Sequence, residues 1–285
     1  ACSILIRPAI SVRAGMSFRT TKEPRSSRPS RHTLSLVFNF NGRVFAKRLV
    51  DTSELGPAEP SKVTPQEVGR SNTPTNYVPY TSDNLDTWDA LKGADGDSDT
   101  VHLLYSLCRI DAGSPGREYA SRWNREHAWP RSRMGVGGNL TPGIGTDLHN
   151  LFPTDASMNS SRGNRFFDEA TRPVIDRSPP CAATHGARGT TECFFGDGTW
   201  EPPDESKGMI ARAVLYMACV YADRGLKLVE SPCELGMGVR SVLLRWNAQF
   251  APTEAELQRN TYVHGIQGNY NPFVTDRTLA DRVSW

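Results

Sequence analysis

Three short stretches concentrate the residue types that can cut a phosphate ester. They are Trp123-Asn124-Arg125-Glu126-His127-Ala128-Trp129-Pro130, Gly145-Thr146-Asp147-Leu148-His149-Asn150-Leu151 and Asn159-Ser160-Ser161-Arg162-Gly163-Asn164. Together they hold a carboxylate, an imidazole and a carboxamide. Glu126 and the side-chain oxygen of Asn159 are suited to a hard, oxygen-seeking divalent cation, with positions left for water and a phosphate. His127, with an ordinary imidazole pKa near ~6.5, can take a proton from an attacking water at neutral pH. That chemistry is phosphodiester hydrolysis with one metal ion, Mg²⁺ first, with Mn²⁺ or Ca²⁺ as alternatives.

Positioning these groups requires two extended segments and a short helix. Pro130 limits the first segment, and a connection carrying Gly135, Gly137, Gly138, Gly143 and Gly145 leads to the second. Thr154 or Asp155 can cap a helix bearing Asn159 and Arg162. Glu126 and His127 are neighbours, and in a regular strand they face opposite sides. For both to serve one site, the backbone is expected to be irregular near Glu126–Ala128.

Around this centre the chain is ordinary for a globular protein. Of its 285 residues 38% are hydrophobic, and no run approaches the ~20 apolar residues of a membrane span. Net charge is +2, unevenly spread: residues 1–50 hold ten Lys/Arg and one acid, leaving 23 bases against 30 acids elsewhere. The acidic body argues against tight general binding of nucleic acid, although a local patch and a bound cation can set the field at a phosphate.

Residues 1–33 read as a disordered basic arm, loosely like an organellar transit peptide. Leu34–Val50 alternates about Asn41-Gly42 and predicts a hairpin. Pro57–Pro79 reads as a linker, so residues 1–75 form an extension and 76–285 the catalytic domain. Asp83–Leu91 predicts a short helix, and Val101–Ile110 an apolar segment. Asp95–Asp99 opens like an EF-hand loop but has Thr100 and Ser106 where Gly and Glu are needed, so it reads as a solvated turn. Ser206–Asp223 has helical periodicity and a stop at Gly225, Val239–Phe250 is a second helix, and Thr253-Glu254-Ala255-Glu256 has the form of a capping box beginning a third. The class is α+β. Of six cysteines, Cys181 and Cys193 bracket a loop that an oxidised clip would close, whereas Cys219 reads as a buried thiol as readily as a bridge.

The three motifs resemble those of the endonuclease I family of bacterial periplasmic and extracellular nucleases, of the ββα-metal (His-Me finger) class. The likeness extends to Trp88-Asp89-Ala90-Leu91, Glu201-Pro202-Pro203, the helix from Gly208 and Ile266-Gln267-Gly268-Asn269-Tyr270-Asn271-Pro272-Phe273, covering about residues 80–275. It implies a ββα-metal site packed against several helices. His127 would be the general base, Glu126 and Asn159 the metal ligands, and DNA, with RNA as a further substrate, would be cut with little sequence preference to leave 5′-phosphates. Family members with a disulfide-rich loop after the histidine supply a phosphate-binding arginine from it. That loop is short here, leaving Arg131, Arg133 or Arg162, of which Arg162 is favoured because its motif position is matched. Asp147, His149, Asn164 and Arg131 are expected to support the site from behind.

The resemblance further implies a secreted or periplasm-like location, with organelle targeting as the alternative, and a monomer. Ala1 in place of an initiating Met is consistent with a fragment or a processed chain. Each residue also has a plainer role: Glu126 could pair with Arg125 or Arg131, and Asn159 heads an Asn-Ser-Ser glycosylation sequon, although Asn139-Leu140-Thr141 is better placed for a glycan. His102, His185 and His264 read as structural. Two other classes stay open: a nucleic-acid-binding protein without catalysis, and a phosphodiesterase for small phosphate esters.

Overall fold

Thr64 and Glu67 answer each other across the first turn of a helix that the Pro-rich composition hides. The Thr64 hydroxyl accepts from the Glu67 amide at 3.2 Å while the Glu67 carboxylate accepts from the Thr64 amide at 2.7 Å. This helix, α1 (Pro65–Ser71), lies within the segment expected to be a linker. The computed structural model describes residues 35–40, 43–48, 61–97, 99–113, 123–135, 141–176, 190–231 and 236–285. The basic arm, the Asn41-Gly42 turn, Gly137, Gly138, Asn139, Cys2, Cys181, His185 and Cys233 lie outside the described residues.

The chain divides into two units, residues 1–59 and Pro60–Trp285. In the first, β1 (Ser35–Phe40) and β2 (Arg43–Arg48) pair antiparallel with Phe40 opposite Arg43, the hairpin its alternation predicts.

In the second, α2 (Thr87–Asp95) follows an Asp86 N-cap, its first residue four later than the Asp83 start expected. The apolar segment after it is a small antiparallel pair, β3 (Thr100–His102) and β4 (Arg109–Asp111). Next come β5 (Asn124–His127), β6 (Leu151–Thr154) and α3 (Ala156–Arg162). A four-stranded sheet then runs in the order β7-β10-β9-β8, from β7 (Phe166–Phe167), β8 (Arg172–Ile175), β9 (Thr190–Phe195) and β10 (Thr199–Glu201).

The remainder is largely helical. The long helix α4 (Asp204–Val220) is followed by a parallel pair, β11 (Lys227–Val229) and β12 (Gly236–Val239). Then come α5 (Arg240–Gln249), α6 (Glu254–Gln267), α7 (Pro272–Thr275) and α8 (Leu279–Arg282). The result is the α+β class expected. No helix among the described residues is long and apolar enough to cross a membrane.

The core is organised on α4, which is buried at every position from Ser206 to Cys219 except Met209. Trp129, Phe152, Phe167, Trp200, Trp246 and Phe273 belong to the cluster around it. A second cluster, with Leu91, Val101, Trp123, Leu148, Leu151 and Val263, includes residues of α2 and α6. Gly69 lets α1 lie against α4: a Cβ there would stand 2.2 Å from the Cys219 carbonyl oxygen. After α4 the chain stops at Gly225, in the left-handed region at φ 87°, as the sequence suggested.

The capping box expected at α6 is only half formed. Thr253 caps the Glu256 amide at 3.2 Å, but the Glu256 carboxylate turns inward to Arg212 of α4, at 2.7 and 2.5 Å. A buried bidentate ion pair outcompetes the local cap and ties α6 to α4. Asp95 similarly leaves the expected turn to meet Arg259 of α6 at 2.7 Å. Cys193 and Cys219 are both buried free thiols, so the Cys181–Cys193 clip does not form. Cys108, by contrast, is disulfide-bonded.

Candidate active site

Strand β5 pairs with β6 without a break: Asn124 opposes Thr154, Arg125 Pro153, Glu126 Phe152 and His127 Leu151. Asn124–His127 is itself regular, and the irregularity expected near Glu126–Ala128 falls at its end, where the chain bends at Ala128–Trp129. The two strands form a sheet by themselves, so the outer edge of β5 has carbonyls to satisfy. Helix α3 supplies the donors. Asp155 starts the helix by accepting the Met158 amide at 2.7 Å. Asn159 Nδ2 donates to Asn124 Oδ1 at 2.6 Å and to the Arg125 carbonyl at 3.3 Å. One turn later, Arg162 donates to the His127 carbonyl at 2.9 Å and the Ala128 carbonyl at 2.7 Å.

Strand alternation gives Glu126 and His127 different surroundings. Glu126 is buried, and its Oε1 accepts from the Tyr105 hydroxyl at 2.7 Å and lies 2.9 Å from Arg162 Nη1. Burial raises its pKa, against the pull of the Arg162 charge and the Tyr105 hydrogen bond. Neither partner engages Oε2. Asn159 spends its nitrogen on β5, which leaves Oδ1 as its acceptor end.

His127 is oriented from outside its own strand. Its Nε2 lies 2.9 Å from the Gly145 carbonyl, and since a carbonyl only accepts, Nε2 carries the proton and Nδ1 the lone pair. The Tyr80 ring stacks beside it at 6.0 Å and 25°. Burial, reinforced by Arg131, Arg125 and Arg162, lowers its pKa to about 4 against the Gly145 carbonyl. The imidazole is therefore neutral at pH 7 and has a free basic nitrogen.

Residues 66–278 match the model of the family described as Endonuclease I. This chain belongs to the endonuclease I family. Its relatives include the extracellular ribonuclease of Bacillus subtilis strain 168, 34% identical over 213 residues, covering 70% of this chain and 67% of the relative. The extracellular ribonuclease of Bacillus amyloliquefaciens is 35% identical over 207 residues, covering 69% and 66%. An extracellular deoxyribonuclease of Aeromonas hydrophila is 30% identical over 178 residues, covering 56% and 69%. This chain spans about two thirds of the length of each. The family expected from the motifs is the family found, and its match includes every candidate site residue.

Within this endonuclease I family member, the arginine favoured for phosphate has another place. Arg162 is 0% exposed, with its terminal nitrogens committed to Glu126 and to two backbone carbonyls. It holds the strand edge and balances a buried carboxylate, so it has no reach toward a substrate. Arg131 fits the phosphate better: it is half-buried, near enough to His127 to oppose protonation, and its buried Nε has no hydrogen-bond partner. Arg125 is occupied, donating to the Tyr80 carbonyl and, at 2.8 Å, to Thr87, between the rings of Tyr80 and Trp88.

Asp147 and His149 belong to the interior. Asp147 accepts from the hydroxyls of Tyr216 and Tyr221 at 2.8 and 2.7 Å, from Gln267 at 3.1 Å and from the His149 amide at 2.9 Å. His149 Nε2 lies 3.1 Å from the Asn269 carbonyl, and the ring packs edge-on against Tyr216 at 4.8 Å. Together they anchor the loop that carries Gly145. Asn164 is exposed and contributes its carbonyl to Arg133 Nε at 2.9 Å. His264 stacks on Tyr270 at 4.0 Å.

Sequence reasoning missed four residues that shape the site. Asn124 and Gly145 stood inside the quoted motifs, and their neighbours could have pointed to them. Tyr80 and Tyr105 carry no signal in the sequence, because only the folded chain brings them to His127 and Glu126.

Among the described residues no three His, Cys, Asp or Glu converge on a point. The oxygens present, Glu126 Oε2 and Asn159 Oδ1, suit a hard cation that keeps several waters and do not suit a zinc cage.

Proposed function

We propose that this protein is a metal-dependent, largely sequence-nonspecific endonuclease acting on DNA, with RNA as a further substrate, and leaving 5′-phosphates. The observation that carries the reading is the His127 imidazole, neutral, with Nε2 held by the Gly145 carbonyl and Nδ1 as its basic nitrogen. Membership of a family whose relatives are named as nucleases on either polymer supports it.

His127 Nδ1 takes a proton from the water that attacks phosphorus in line. Arg131 steadies a phosphate oxygen through charge-assisted hydrogen bonds. Glu126 and Asn159 would hold a Mg²⁺ or similar ion, which would supply Lewis-acid stabilisation of the negative charge developing at the phosphate; the departing 3′-oxygen takes its proton from solvent. Arg162 and Tyr105 fix Glu126, and Asn124 fixes Asn159, so the donors are set before substrate arrives. The extracellular names of several relatives and the disulfide at Cys108 support a secreted or periplasm-like location. We take the working form to be a monomer.

The test is nicking of supercoiled plasmid with Mg²⁺, with EDTA, and by His127→Ala. Cutting that EDTA stops and that falls about 10²–10⁴-fold in a folded His127→Ala variant is expected. A folded wild type inert with Mg²⁺, Mn²⁺ and Ca²⁺ would overturn the proposal.

A further inference from the structure

We infer that Arg131, Arg133, Arg165 and Arg172 form a track leading a nucleic-acid backbone away from the reaction centre, an assignment that rests on the nuclease reading above. After residue 50 the chain carries more acids than bases, 30 against 23, so a run of arginines linked by contact is a local exception.

The links are these. Arg131 and Arg133 share one short turn, Arg131–Arg133, directly after the strand end that carries His127. Arg133 reaches the Asn164 carbonyl at 2.9 Å, and its guanidinium lies 4.2 Å from the centre of the Phe166 ring. Arg165, next along the chain, is bonded to the Ser161 and Arg162 carbonyls, and its guanidinium stands 5.8 Å from the Phe195 ring. Arg172, on β8, lies 4.6 Å over the same ring. The path thus runs from the β5 end, past the C-terminus of α3, onto the four-stranded sheet.

The chemistry points to phosphodiester rather than to bases. A guanidinium resting on an aromatic face is oriented by the ring and can turn an N–H edge toward a phosphate oxygen. Acids beside the track are Asp168, Glu169 and Asp197. Glu169 is drawn off by Arg245 at 2.6 Å, whereas Asp197 pairs with Arg172 itself at 2.5 Å; that pair is exposed, so a phosphate oxygen can exchange with the carboxylate there. Contacts of this kind position a strand without reading its sequence.

The experiment measures binding of a fluorescein-labelled 20-nucleotide single strand to the full chain in EDTA, across a KCl series. Each phosphate contact removed should lower the slope of log affinity against log salt by about 0.7. Arg165→Gln/Arg172→Gln should therefore lose about 1.4 of the slope, Arg165→Lys/Arg172→Lys should recover most of it, and Arg70→Gln on α1 should match wild type. Arg172→Gln alone, at an exposed position, should lose about half as much and keeps the test intact if the double variant does not fold. KM for a long polymer should also rise several-fold more than KM for a dinucleotide. An unchanged slope in folded Gln variants, with wild type still nicking plasmid, overturns the track and leaves the nuclease reading standing. A wild type that neither binds the oligonucleotide nor nicks plasmid overturns both.

Discussion

Glu126 and Asp147 are both buried carboxylates within the recognised motifs, yet they are satisfied in different ways. Asp147 receives four neutral donors: two tyrosine hydroxyls from the α4 region, the Gln267 amide and the nearby His149 backbone. Glu126 receives the Tyr105 hydroxyl and the Arg162 guanidinium, both at Oε1, and a backbone hydrogen bond from His127. Neutral donors brought from several elements make an anchor with no room for another partner. For Glu126 a guanidinium sits on one oxygen, where α3 covers the edge of a two-stranded sheet, and balances the carboxylate's charge. The difference separates a carboxylate held by neutral donors from one held by an opposite charge.

That contrast can be broken by substitution. The largest effect is expected for Arg162→Ala, which leaves Glu126 buried without its counter-charge and two edge carbonyls without donors. It should cost about 3–5 kcal/mol in denaturant unfolding; full stability with a raised KM would instead return Arg162 to the phosphate. Asp147→Ala strands the Tyr216, Tyr221 and Gln267 donors and should cost about 3 kcal/mol. If the soluble variant also lost its chemical step at low temperature, the anchor reading would be wrong.

A smaller effect separates the two regions by pH. His149 is buried neutral with its pKa lowered to about 4, mainly by burial, whereas the unfolded chain titrates near ~6.5. Between those values the unfolded state binds the extra proton, so stability is complete above pH 6.5 and falls as pH drops toward 4. The loss is about 2 kcal/mol at pH 5, and His149→Gln should flatten melting curves across that window by this amount. Least in free energy is Arg131→Ala, expected to lower kcat/KM about tenfold with an unchanged melting temperature. An unaltered kcat/KM would remove Arg131 from the phosphate.

The general outline was legible in the sequence because short-range rules govern it. Helical periodicity located α4 and α5, alternation located the β1–β2 hairpin, and the Thr154-Asp155 pair announced a cap for α3, which the fold assigns to Asp155. The misreadings have two causes. Proline and serine content hid α1, although its Thr64–Glu67 capping box is local; Glu256 and Asp95 left their local roles for arginines on distant elements.

By itself the sequence determined the family and the α+β class, and it singled out Glu126, His127 and Asn159 as candidates, because residue type and spacing carry that information. Tertiary structure alone decided which arginine is bound into the fold and which stands beside His127. It also decided which carboxylate is an anchor, and which nitrogen of His127 is basic. Those outcomes depend on burial and on partners such as Tyr105, Gly145 and Tyr216, which become neighbours only when the chain has folded.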